Sequence, residues 1–83
     1  MALRRRAPAT EQGQALRQLF ARNIRHLRGE KRMTQLELAD AAGLGRSFVS
    51  QLERGRFSAT LETVAALSAA LGVAPTLLLS APV

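Results

Sequence analysis

Two glycines interrupt a helical pattern in the middle of this chain, and the interruption limits the folds open to it. Between Gln35 and Arg54, apolar residues recur every three or four positions, as one face of a helix requires. Gly43 stands where a left-handed residue ends a helix without a Cβ clash. Gly45 then serves as the N-cap of a second helix, a position that glycine tolerates. The stretch therefore predicts two short helices joined by a tight turn.

The spacing around this turn predicts that the second helix crosses the first at a steep angle. Such a crossing needs a small residue where the two axes approach, and Ala39 lies one turn before Gly43. Val49 and Leu52 follow at positions that face a shared core. A small residue, a glycine and two aliphatic residues at these spacings form the pattern of a helix-turn-helix.

Capping signals and helical spacing on either side of this pair predict three more helices. A first helix begins at Gln14 and ends between Gly29 and Arg32. Thr60 caps a fourth helix, and Pro75 suits the first turn of a short fifth helix. The pattern therefore predicts an all-α fold, a compact five-helix domain.

The domain layout follows from where charges and helix breakers lie. Residues 1–13 contain a basic triplet, Arg4–Arg6, with a proline and a glycine, which predict a flexible basic N-terminal arm. Residues 14–83 are expected to form the folded domain. No charged residue occurs from Thr63 to Val83, but glycine and prolines interrupt that segment. We therefore expect a buried helix and an apolar tail there, and no membrane span.

The composition excludes several classes of function. The chain has no cysteine, and one histidine, His26, cannot build a metal site alone, so no metal site is expected. The acidic residues are dispersed, so no cluster of catalytic groups or cofactor site is indicated. The basic start lacks the apolar region of a signal peptide, which favours a cytoplasmic protein. A formal net charge of +6 favours a polyanionic partner such as nucleic acid.

The second helix of the central pair carries a polar face without an acid. Its apolar residues point to one side, and Phe48 lies between the two sides, where it either packs inside or touches a thymine methyl group. The polar side consists of Arg46, Ser47, Ser50, Gln51 and Arg54. A solvated surface is the alternative, although such a surface normally mixes both signs of charge. In helix-turn-helix proteins this helix enters the major groove of DNA.

The chemistry of these side chains predicts their roles on double-stranded DNA. Arg46 can donate two hydrogen bonds to guanine O6 and N7, and Gln51 can pair with adenine N6 and N7. Ser47 and Ser50 are short enough to reach a base or a phosphate. The arm's basic triplet either enters the minor groove or remains an untethered tail. The residues expected at phosphates by position or charge are Arg32, Arg54 and Arg56.

The run from Met33 to Val73 resembles the lambda-type repressor and Cro family of DNA-binding domains. Its segments TQLELA, AG, ERG and LETVAALSAALGV follow the family's usual order. The resemblance implies a five-helix domain that binds an inverted-repeat operator, usually as a homodimer. Size and layout are similar to those of restriction–modification controller proteins and small phage or antitoxin regulators. Gly45 departs from the serine or threonine cap that is usual there.

The resemblance also implies roles for single residues. It places four polar residues of the second helix at base-reading positions: Arg46, Ser47, Ser50 and Gln51. Gln35 matches the family's phosphate-binding glutamine, and a plain surface glutamine is the alternative. Glu53 matches an acid that pairs with an arginine of the first helix, here Arg28, as a structural bridge. A phosphate contact by Arg28 stays open.

The apolar tail predicts a dimer surface. The residues assigned to it are Leu77, Leu78 and Leu79. They cannot all face one core from a short helix, so at least one is expected outside, where it would pair with a second copy. The alternative is that Leu77 and Leu78 complete the core of a monomer.

Together these patterns predict a sequence-specific transcriptional regulator. The alternative is an antitoxin or adaptor on the same fold, whose main partner is a protein and which would not need an acid-free polar face. RNA is a weaker candidate, because the chain lacks aromatic stacking platforms. No patch for RNA polymerase is identifiable in the sequence.

Overall fold

The computed structural model describes residues 10–81, which form four α-helices and a closing 3-10 helix. The elements are α1 (Glu11–Glu30), α2 (Gln35–Ala42), α3 (Arg46–Glu53), α4 (Leu61–Leu71) and η1 (Pro75–Leu79). The all-α prediction is confirmed, with the fifth helix formed as a 3-10 helix. No helix within the described residues is both long enough and apolar enough to cross a membrane.

Helix α1 begins earlier than its spacing predicted. The Thr10 hydroxyl caps the helix by accepting a hydrogen bond from the Gly13 N–H at 2.9 Å. Glu11 follows in the first turn, where a carboxylate interacts favourably with the helix dipole. Residues 11–13 therefore belong to α1, which corrects the predicted arm boundary. The rest of the arm, residues 1–9, lies outside the described residues.

Helix α2 is capped at both ends, and the turn that joins it to α3 has the predicted geometry. The Thr34 hydroxyl accepts from the Glu37 N–H at 3.0 Å, and the Glu37 carboxylate accepts from the Thr34 N–H at 2.8 Å. Gly43 ends α2 with a φ of +72°, in the left-handed region that favours glycine. Ala39, predicted where the two axes approach, is fully buried.

Helix α3 ends at Glu53. Gly55 has a φ of +71° and donates its N–H to the Leu52 carbonyl at 3.0 Å. The Arg56 N–H donates to the Gln51 carbonyl at 3.1 Å. These two bonds form a Schellman motif, which satisfies the last carbonyls of α3 and folds the chain back along it.

The core lies between the four α-helices and η1. Each large side chain that loses all contact with water there contributes about 1.5–3 kcal/mol to folding. The largest fully buried side chains are Ile24, Leu38, Val49, Leu52, Leu67, Leu71 and Leu78.

One buried amide fastens the C-terminal segment to α1. Asn23 donates from Nδ2 to the carbonyl oxygens of Leu78 and Ser80, each at 2.9 Å. Leu78 is 0% exposed, whereas Leu77 is 46% and Leu79 45% exposed. The expectation that at least one leucine lies outside is confirmed, but the assignment of Leu78 to the dimer surface is wrong. A 3-10 helix has about three residues per turn, so its middle leucine points inward while its neighbours point outward.

Candidate nucleic-acid interface

The exposed side of α3 is the candidate interface. Its buried side is formed by Val49, Leu52 and Glu53. The exposed side carries the polar residues that the sequence indicated, and along the described residues of α3 it holds no acid because Glu53 is only 3% exposed. Arg46, Ser47 and Arg54 are exposed, and Ser50 and Gln51 are half-buried.

The N-terminal end of α3 adds to the positive potential of this side. Gly45 provides no side-chain hydrogen bond to the first turn of α3. The first backbone N–H groups of an α-helix have no partner inside the helix, and they favour an anion such as phosphate. Arg46, in the same turn, is exposed beside them.

A buried ion pair joins α1 to α3. Arg28 donates from Nε to Oε2 of Glu53 at 2.6 Å and from Nη2 to Oε1 at 3.0 Å, a two-point contact. Arg28 also donates from Nη1 to the Met33 carbonyl at 2.9 Å, which ties in the loop before α2. The hydrogen bonds to Glu53 raise the pKa of Arg28 and the attraction of its charge adds to this, while burial opposes them. The predicted structural bridge is therefore present.

Gln35 belongs to the same network. From the first turn of α2 it donates from Nε2 to Oε1 of Glu53 at 3.0 Å. A primary amide has two N–H hydrogens, so one remains for another acceptor. Gln35 therefore contacts α3 inside the protein, and its role at phosphate stays a prediction.

Arg25 is a further member that the sequence analysis missed. Its Nη1 donates to the backbone carbonyl of Glu53, in the last turn of α3. Carbonyls there lack intrahelical partners and form the negative end of the helix dipole, which attracts a cation. The sequence did contain a signal for this residue. Arg25 lies three residues before Arg28, a spacing that puts both side chains on the same face of α1.

An aromatic pair borders the α3 face. The rings of Phe48 and Phe57 are stacked, with centroids 5.9 Å apart and an interplanar angle of 25°. Phe48 is half-buried against the core, as one of its two predicted alternatives required, and Phe57 is 47% exposed. The sequence analysis assigned no role to Phe57, because no local spacing connects a loop residue to α3.

The predicted phosphate contacts are exposed at two places. Arg54 and Arg56 lie at the C-terminal end of α3, and Arg32 lies in the loop between α1 and α2. Within residues 10–81, no group of three or more His, Cys, Asp or Glu side chains is placed to hold a metal ion.

Comparison with known proteins agrees with this geometry. The sequence model of a helix-turn-helix family matches residues 24–78. The restriction-modification controller protein C.AhdI from Aeromonas hydrophila superposes with a TM-score of 0.75 and 36% identity, over 77% of this chain and 97% of that one. The hypothetical transcription factor NHTF from Neisseria superposes with a TM-score of 0.80 and 40% identity, over 98% and 90% of the two chains.

A phage protein gives a similar match at the sequence level. The immunity repressor protein of Bacillus phage phi105 is 40% identical over 50 residues, which is 60% of this chain. The match spans 35% of that repressor's length, and a sequence match to the Neisseria meningitidis transcription factor spans 65% of that protein.

Proposed function

Because this chain belongs to the helix-turn-helix family of DNA-binding transcriptional regulators, we propose that it binds a specific double-stranded DNA operator and regulates transcription there. The observation that carries the proposal is the acid-free face of α3, fixed to α1 and α2 through Glu53. The proposed function is binding without catalysis or a cofactor, and it would be exercised in the cytoplasm.

In this proposal α3 lies in the major groove, which is wide enough to admit a helix. Arg46 is exposed in the first turn of α3, where it would donate to guanine O6 and N7. Gln51 would pair with an adenine near the middle of the contact, and Ser47 and Ser50 would contact a base edge or a phosphate.

Contacts to phosphates would fix the position of α3 along the duplex. The second amide hydrogen of Gln35 and the free N–H groups at the start of α2 would bind one phosphate. Arg32, Arg54 and Arg56 are exposed and would hold others. Such contacts release counterions, so the affinity is expected to fall as salt rises.

We propose that the regulator is a homodimer on an inverted repeat. Leu77 and Leu79 are nearly half exposed on η1, and exposed apolar patches mark association sites. A two-fold axis would pair this patch with itself. It would also place the two α3 helices one DNA turn, about 34–36 Å, apart.

Selection of binding sites from random duplex DNA, followed by a salt titration, tests the function. We expect an enriched inverted repeat whose affinity falls steeply with salt. Arg46→Ala should cost about 1–3 kcal/mol at one base pair and relax the preference there. Arg22→Ala removes the same charge from the cleft between α1 and η1 and should leave that preference intact.

Two results would contradict the proposal. One is binding without preference for any selected duplex over random DNA at moderate salt. The other is stable capture of a protein partner by a chain that does not bind duplex DNA, which would favour the antitoxin or adaptor alternative.

A further inference from the structure

The aromatic pair Phe48–Phe57 lies where it extends the α3 face into the following loop. On a helix with about 100° per residue, Phe48 is about 60° from Gln51 and so borders the polar side at that residue. The Schellman motif returns the backbone of Arg56 to the Gln51 carbonyl, at 3.1 Å. Phe57 is the next residue along the chain, which explains why its ring reaches Phe48.

The pair is held in a fixed geometry before any ligand binds. Phe48 packs against the hydrophobic core, and a centroid separation of 5.9 Å is within the range of favourable offset stacking. Phe57 nevertheless leaves 47% of its surface exposed. A ring that is already ordered loses little conformational entropy when its free face makes a contact.

The charges around the pair indicate what would cover that free face. Arg54 and Arg56 both precede Phe57 in the sequence, both are exposed, and no acid occurs from Arg54 to Leu61. An apolar ring among cations, continuous with a DNA-reading helix, matches the major groove of a duplex. The apolar group that DNA presents in that groove is the C5-methyl group of thymine.

We propose that Phe57, supported by Phe48, contacts the C5-methyl group of one thymine in each half-site, beside the base pair that Gln51 reads. This inference rests on the proposed function and adds a specificity determinant to it. The phenylalanine ring would distinguish thymine from cytosine at a position outside the reach of Arg46, at the opposite border of the α3 face.

Single thymine-to-deoxyuridine substitutions in the selected operator test this proposal, because they remove only the methyl group. We expect the unmodified protein to bind one such duplex about fourfold more weakly, the effect of one buried methyl group. Phe57→Ala should bind the thymine and uracil duplexes equally. Leu16→Ala, which truncates a half-exposed leucine of α1, should retain the discrimination of the unmodified protein.

The outcomes separate this proposal from the proposed function. Failure to select any operator contradicts the function itself. A selected operator in which no deoxyuridine weakens binding overturns the methyl contact, and so does a penalty that Phe57→Ala retains. If the alanine variant does not fold, Phe57→Asn replaces it in the same comparison of thymine and uracil duplexes, with the same two outcomes.

Discussion

At the scale of single residues, Asn23 attaches the C-terminal segment to α1 through its side-chain amide. Its amide donates to carbonyls of the C-terminal segment, and an aspartate would direct acceptor oxygens at those same carbonyls. We expect Asn23→Asp to lower the free energy of unfolding by about 1–3 kcal/mol, as for a lost buried hydrogen bond. Denaturant unfolding measures this. Gln14→Glu, the same chemical change at an exposed site of α1, should alter stability by less than about 0.5 kcal/mol. Equal effects of the two variants would contradict the assignment.

Glu53 is the second residue whose removal should be costly. Glu53→Ala would leave Arg28, whose side chain is 23% exposed, without its carboxylate partner. We expect a loss of about 1.5–3 kcal/mol in the free energy of unfolding, as for lost hydrogen bonds to a charged group that stays partly exposed. The hydrogen bonds with Glu53 raise the pKa of Arg28, which stabilises the fold at every pH below the ordinary arginine value, so the arginine adds no pH dependence near neutrality. A loss below about 1 kcal/mol would show that the pair is incidental.

At the scale of elements, the orientation of α3 depends on contacts from α1 as well as α2. Arg25 holds the Glu53 carbonyl at the C-terminal end of α3. We expect Arg25→Gln to weaken binding to the selected operator more than binding to random duplex, because a tilted α3 misplaces base contacts worth about 1–3 kcal/mol each. Arg22→Gln should lower both affinities only slightly. Equal losses on both duplexes would make Arg25 a phosphate contact instead.

Local signals predicted the elements well, and contacts between distant residues explain what they missed. The capping box at Thr34 and the glycine at Gly43 act within a few residues, so they are visible in the sequence. The start of α1 was misplaced because Gly13 suggested a flexible arm, whereas Thr10 caps the helix before it. The spacing of Arg25 places it beside Arg28 on α1, but its partner Glu53 lies 28 residues away on another helix. Phe57 lies in a loop, where no helical period connects it to Phe48.

At the scale of the whole molecule, η1 contributes one leucine to the core and leaves two nearly half exposed, which the proposed dimer would bury. Leu77→Ser with Leu79→Ser should leave the protomer folded but shift it to a monomer in sedimentation and weaken operator binding. Leu78→Ser is the contrasting variant, because it places a polar group in the core. It should lower the free energy of unfolding by about 2–5 kcal/mol, the range for truncated core leucines. An unmodified chain that sediments as a monomer at tens of micromolar would contradict the proposed dimer.

Two elements, η1 and α3, are both attached to α1, and this has a consequence for operator spacing. Asn23 fastens η1, and Arg25 and Arg28 fasten α3, all within two turns of α1. In a dimer formed through η1, this short part of α1 would fix the angle about the DNA axis between the two α3 helices. One extra base pair between half-sites rotates them by about one-tenth of a turn. Because α1 is one continuous helix from Asn23 to Arg28, we expect the protein to resist this rotation, so the duplex itself would have to twist.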